Sequence, residues 1–90
     1  MRYEICIHQN AVNFLNKLSQ KTKERLISKM RVLEDRPKLK RAGADIKKIR
    51  DVDPEAYRLR IGDYRVIYAV DEDTVWITEI MLRGKGYRRR

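Results

Sequence analysis

The sequence predicts an α+β domain in which two N-terminal helices, forming an antiparallel hairpin, pack on one face of a mainly antiparallel sheet of four to five strands. Three observations lead there. Apolar residues alternate with polar ones from Tyr3 to Ile7, recur at helical spacing between Ala11 and Leu33, and alternate again from Tyr57 to Leu82.

In the opening stretch, Tyr3, Ile5 and Ile7 share one side and Glu4, Cys6 and His8 the other, the pattern of a half-buried first strand. Asn10 is placed to cap a short helix whose apolar positions are Ala11, Phe14, Leu15 and Leu18. Ser19 interrupts that pattern and caps a second helix with the stripe Leu26, Ile27, Met30 and Leu33, which should end close to Arg36 because Pro37 follows. Residues 38–45 show no period and are read as a basic loop, with Ile46 to Ile49 a short edge strand. Beyond Pro54 the turns Gly62-Asp63 and Asp71-Glu72-Asp73 divide three alternating runs into a meander. Residues 83–90 form a basic tail on a single domain spanning 1–90.

Composition narrows the function classes. The chain has 90 residues, 22 Lys+Arg against 13 Asp+Glu, and a formal net charge of +9, so its natural partners are nucleic acid, an acidic protein or an anionic surface. One cysteine and one histidine allow neither a disulfide framework nor a zinc cage of ordinary spacing. No cofactor or metal is expected. With no apolar run long enough for a bilayer and no signal-peptide layout at the start, the chain reads as a cytoplasmic protein without a membrane partner.

Strand parity turns the charge into a candidate site. Arg58 and Arg60 fall on one side of their strand, opposite Tyr57, Leu59 and Ile61. If Tyr64, Val66, Tyr68 and Val70 face the helices, Arg65 joins the two arginines on the open side, and Arg83 follows by counting if Trp76, Ile80 and Leu82 also face inward. Such an array of like charges costs stability unless an anion sits among them, and guanidinium forks fit phosphate oxygens. Arg65, as a solvent-side residue, should be dispensable for folding. Glu79 is the one acid expected on that face, either a cross-strand ion-pair partner or a general base. His8 is read as a capping or solvent-facing residue, Cys6 as a small packing residue, Trp76 as core, and Tyr87 as a ring able to stack on a base.

The string Tyr57-Arg58-Leu59-Arg60-Ile61-Gly62-Asp63-Tyr64-Arg65-Val66-Ile67-Tyr68 resembles the RelE/ParE superfamily of toxin–antitoxin toxins. The likeness includes Ile46-Lys47-Lys48-Ile49-Arg50 before it, His8, Ala11, Phe14 and Leu15 at the first helix, and Arg83-Gly84-Lys85-Gly86-Tyr87 at the end. The resemblance implies a RelE-like fold and a metal-independent, ribosome-dependent endoribonuclease that cleaves mRNA in the A site and is neutralised by a cognate antitoxin, acidic and with a helical segment. It implies catalytic roles for Arg58, Arg60, Arg65, Arg83 and Tyr87, and RNA binding by Lys47, Lys48, Arg50, Lys85 and Arg88. The first-strand pair is lysine in the best-known ribonuclease members and arginine here. Two other functions fit the same chain: a ParE-like toxin that binds a type II topoisomerase, and a basic RNA-binding module without activity.

Overall fold

Five strands, two α-helices and one 3-10 turn make up the computed structural model, which describes residues 2–52 and 55–83. Their order is β1 (Glu4–Ile7), α1 (Gln9–Asn16), α2 (Gln20–Met30), a 3-10 turn (Arg31–Glu34), β2 (Asp45–Ile49), β3 (Ala56–Ile61), β4 (Tyr64–Asp71) and β5 (Thr74–Leu82). In space the strands run β1-β5-β4-β3-β2. All neighbours pair antiparallel except β1, which lies parallel to β5 with Glu4 opposite Thr74 and Ile7 opposite Ile77.

Both helices begin with a side-chain cap, as local chemistry requires for their otherwise unpaired N–H groups. Ser19 Oγ accepts from Thr22 N at 3.2 Å, as expected from the sequence. The cap of α1 is His8, whose Nδ1 accepts from Asn10 N at 3.1 Å, so the helix starts two residues earlier than an Asn10 cap would place it. The second helix also ends early. The α-form stops at Met30, Leu33 lies in the 3-10 turn, and Arg36 adopts φ +46, so the backbone has left the helical region before Pro37.

Between that turn and β2 the chain is tied by one side chain. Arg41 donates from Nη1 to the carbonyls of Arg36 and Leu39 and from Nη2 to those of Val32 and Asp35, at 2.7–3.1 Å. Three of these carbonyls lie beyond regular structure and the fourth, that of Val32, lies in the 3-10 turn, and a guanidinium with five donors reaches all four at once.

The core lies between the helices and one face of the sheet. Ala11 and Leu15 of α1, Leu26 and Met30 of α2, and Leu33 meet Ile46, Tyr57, Leu59, Ile61, Val66, Tyr68, Val75, Ile77 and Ile80. Ile27 falls off the predicted stripe and is 38% exposed. Tyr68 is buried and donates to Pro37 O at 2.6 Å, while its ring stacks on Tyr57 at 5.7 Å. Burial above all, then the neighbouring Tyr57, raises the Tyr68 pKa well above its ordinary value of 10.0.

One irregularity determines what the other face carries. Ile67 pairs with Glu79 but Tyr68 pairs with Ile77, so Thr78 is the extra residue of a bulge in β5. The bulge lets Val75 and Ile77 before it, and Ile80 after it, all enter the core. The strict alternation read from sequence is therefore corrected: Trp76 is not core but stands 45% exposed on the open face. Among the described residues, no helix is long and apolar enough to cross a membrane.

Candidate functional site: an arginine cleft on the open sheet face

The turn between β3 and β4 aligns the arginines. Gly62 takes φ +58 at the first position of the two-residue turn, a conformation glycine adopts without Cβ strain, and an added Cβ would stand 3.7 Å from Arg25 of α2. Ile61 and Tyr64 close the hairpin, so Arg60 and Arg65 form the next cross-strand pair, with Cα atoms about 4.5 Å apart if the ladder alternates in the usual way. On the other side of β3, Lys47 pairs with Arg58 and Asp45 with Arg60. Since paired residues share a face, Asp45, Lys47, Arg58, Arg60 and Arg65 lie on the side away from the helices.

Together with Lys48, Ile49 and Arg50 these basic residues line a cleft of about 430 Å³. Three of the four arginines expected on the open face thus converge. Arg83 lies just beyond β5, exposed, its N–H bonded to Asp63 O at 2.7 Å, and it is not among the residues lining the cleft. Tyr87, Lys85 and Arg88 fall outside the described residues.

The cleft differs from the sequence reading in three further respects. Arg65 is buried, at 7% exposure, because β4 is the central strand and Arg60 and Met81 flank it on the same face. It is therefore no dispensable surface charge. Lys48 projects, by register, on the side of Tyr57 and pairs with Glu55 at 3.1 Å. That bond and the Tyr57 hydroxyl hold the Glu55 carboxyl below its ordinary range. Finally, the acid that engages the arginines is Asp45, whose carboxylate lies 3.4 Å from Arg58 Nη2 and 3.9 Å from Arg60 Nε. From the sequence Asp45 falls in the basic loop, and its place just before the Ile46–Ile49 edge strand is the one signal it offers. Glu79 is exposed on the same face opposite Ile67 and makes no ion pair among the described residues.

Chemically, the cleft is a cluster of cations with one carboxylate, Asp45, against two of its arginines. Asp45 offsets part of the repulsion among the guanidinium groups, and the Arg58 Nε, buried, has no hydrogen-bond acceptor among the described residues. Its donors suit tetrahedral oxyanions, which accept the planar fork two oxygens at a time.

A family model described as "ParE toxin of type II toxin-antitoxin system, parDE" matches residues 5–87. The chain belongs to the RelE/ParE superfamily of type II toxin–antitoxin toxins. It is similar to the archaeal RelE of the RelE–RelB complex from Pyrococcus horikoshii OT3, with 32% identity and a TM-score of 0.78 over 94% of this chain and 99% of that one. The RelB–RelE complex from Methanococcus jannaschii matches at 23% identity and a TM-score of 0.74, covering 93% and 96% of the two chains. RelBE2 from Mycobacterium tuberculosis matches at 22% identity and a TM-score of 0.74, covering 92% and 100%. A search of curated proteins finds no match.

Proposed function

We propose that this toxin is a ribosome-dependent mRNA endoribonuclease, and the observation that carries the reading is the convergence of Arg58, Arg60 and Arg65 in one cleft beside Lys47. In this reaction a ribose 2′-oxygen attacks the adjacent phosphorus, the P–O5′ bond breaks, and the products are a 2′,3′-cyclic phosphate and a 5′-hydroxyl. Negative charge builds on the non-bridging oxygens of the pentavalent phosphorane. Fixed guanidinium groups stabilise that charge without reorganising, and a buried one such as Arg65 does so in a medium of reduced dielectric. Arginine does not surrender its proton near neutral pH, so it serves as neither base nor acid. The proton from the 2′-hydroxyl goes to Glu79, to Tyr87 or to a ribosomal group, and the leaving oxygen takes one from the same set.

Arg83 and Tyr87 complete the catalytic set in this reading, with Arg50, Lys85 and Arg88 holding the flanking phosphates. The antitoxin is an acidic protein that docks a helical segment. Structures of related toxins in complex with RelB support an antitoxin partner. The match to ParE toxins supports a second reading, binding of a type II topoisomerase, which makes no chemical use of the arginine cleft.

Primer extension on ribosomes programmed with a defined mRNA separates the two. Cleavage within the A-site codon supports the nuclease. Growth arrest with intact mRNA and damaged DNA transfers the function to the topoisomerase branch.

A further inference from the structure

The open face does not end at the arginines. Running along β4 from Arg65, the same side carries Ile67 and Ala69, and Ala69 pairs with Trp76 of β5. The indole is flanked by small side chains on both neighbouring strands, Ala69 on one and Cys6 on the other, so nothing bulky stands beside it in the ladder. It borders a groove of about 430 Å³ lined by His8, Ala69, Val70, Asp71, Trp76 and Thr78.

We propose that this groove holds one nucleobase of the bound RNA, stacked on Trp76, and that it prefers a base bearing an exocyclic amino group over uracil. The proposal rests on the nuclease reading of the arginine cleft. Four residue steps along β4 take Arg65 to Ala69, roughly 13 Å, a span of about two nucleotides of extended single strand. Charge assigns the two ends different parts of the chain. The arginine end attracts phosphate, while Asp71, with Glu72 and Asp73 in the adjoining turn, repels it and leaves the base as the part that enters. An apolar ring beside a carboxylate acceptor is a base site, since the Asp71 carboxylate accepts from an exocyclic amine. His8 supplies the opposite polarity. Its Nδ1 accepts from the Asn10 N–H, which leaves Nε2 as the ring's donor, and the residue lines the groove.

Trp76 is the sole tryptophan, so its fluorescence reports on this groove alone. The probes are end-labelled hexanucleotides with 2′-O-methyl riboses, which resist cleavage, in mixed-base, all-uracil and abasic forms, at low salt. Anisotropy of the label measures binding and indole emission measures stacking. Expected are quenching by the mixed-base strand that saturates with its anisotropy, and binding of the abasic strand without quenching. Trp76→Ala should weaken the mixed-base strand roughly five- to hundred-fold and leave the abasic strand unchanged, with most of the loss restored in Trp76→Phe. Asp71→Asn should abolish the discrimination against uracil.

Binding with unaltered emission, and equal affinity in Trp76→Ala, overturns the base groove and leaves the arginine cleft standing. No anisotropy change with any strand overturns both. Emission that responds to the antitoxin and never to RNA makes the groove a protein contact and overturns the proposal as well.

Discussion

Arg60 of β3 stands directly opposite Arg65 of β4, yet Arg65 is only 7% exposed while the Arg60 side chain is 43% exposed. The pair therefore divides two tasks that a surface array of like charges would share. The exposed member reaches solvent. The buried member is fixed by the sheet around it and keeps its charge where the dielectric is low.

Replacing the buried member tests both parts. Arg65→Ala is expected to lower single-turnover mRNA cleavage on programmed ribosomes by about 10² to 10³-fold, the usual loss for one charge-stabilising donor. It also removes a packed stem, so urea denaturation should show about 1–3 kcal/mol less stability. Arg65→Lys retains most of the stem and should recover stability while leaving cleavage low. Equal recovery of both would show that packing alone explains the first variant.

Asp45 competes with any phosphate for Arg58 and Arg60. Asp45→Asn should bind single-stranded RNA several-fold more tightly in anisotropy titrations and lose about 0.2–1 kcal/mol of stability, the range of a partly exposed ion pair. Weaker RNA binding in this variant would mean that Asp45 positions the arginines more than it occupies them.

Alkaline unfolding should follow Tyr68. Its folded pKa is raised by burial, so the neutral phenol contributes stability that is complete below the unfolded value of 10.0 and is lost as pH rises through the folded value. Above pH 10 the unfolded chain ionises first and the fold weakens. Tyr57, raised by burial and by its bond to Glu55, adds to the same trend. Tyr68→Phe is expected to cost about 1–3 kcal/mol at neutral pH, because the Pro37 carbonyl loses its donor, and to flatten the melting temperature between pH 10 and 12.

The antitoxin should bind through charge as well as apolar burial. Calorimetric titration of the toxin with its antitoxin is expected to show an affinity that falls as salt is raised from low to physiological and above, given a toxin of formal charge +9. A salt-independent affinity would assign the binding to apolar contact alone.

Where the sequence was legible, the signal was local. The alternation through Tyr57–Ile61 and Tyr64–Asp71, with Gly62-Asp63 between, is enough to put Arg58, Arg60 and Arg65 on one face. β5 was misread because Thr74–Leu82 is apolar in both phases, so nothing in the alternation marks Thr78 as the residue that slips. That slip decides whether Trp76 is core or surface. Asp45 was missed because its strand gains its register only from β3, and Arg65 because burial of a charge depends on which strand becomes central. The parallel partner of β1 was equally invisible, since pairing across the length of a chain leaves no trace in either segment.

That parallel pairing also imposes an order in time. Glu4 meets Thr74, about 70 positions later, so the first strand to leave the ribosome has no partner until the fifth has been made. β2, β3 and β4, by contrast, find their partners within nearer stretches of the chain. Until β5 is placed, the sheet lacks Val75 and Ile77 from its core. The fold therefore closes on the last of its five strands to be made: until β5 is in place, β1 has no edge to join and a strip of the interior stays uncovered.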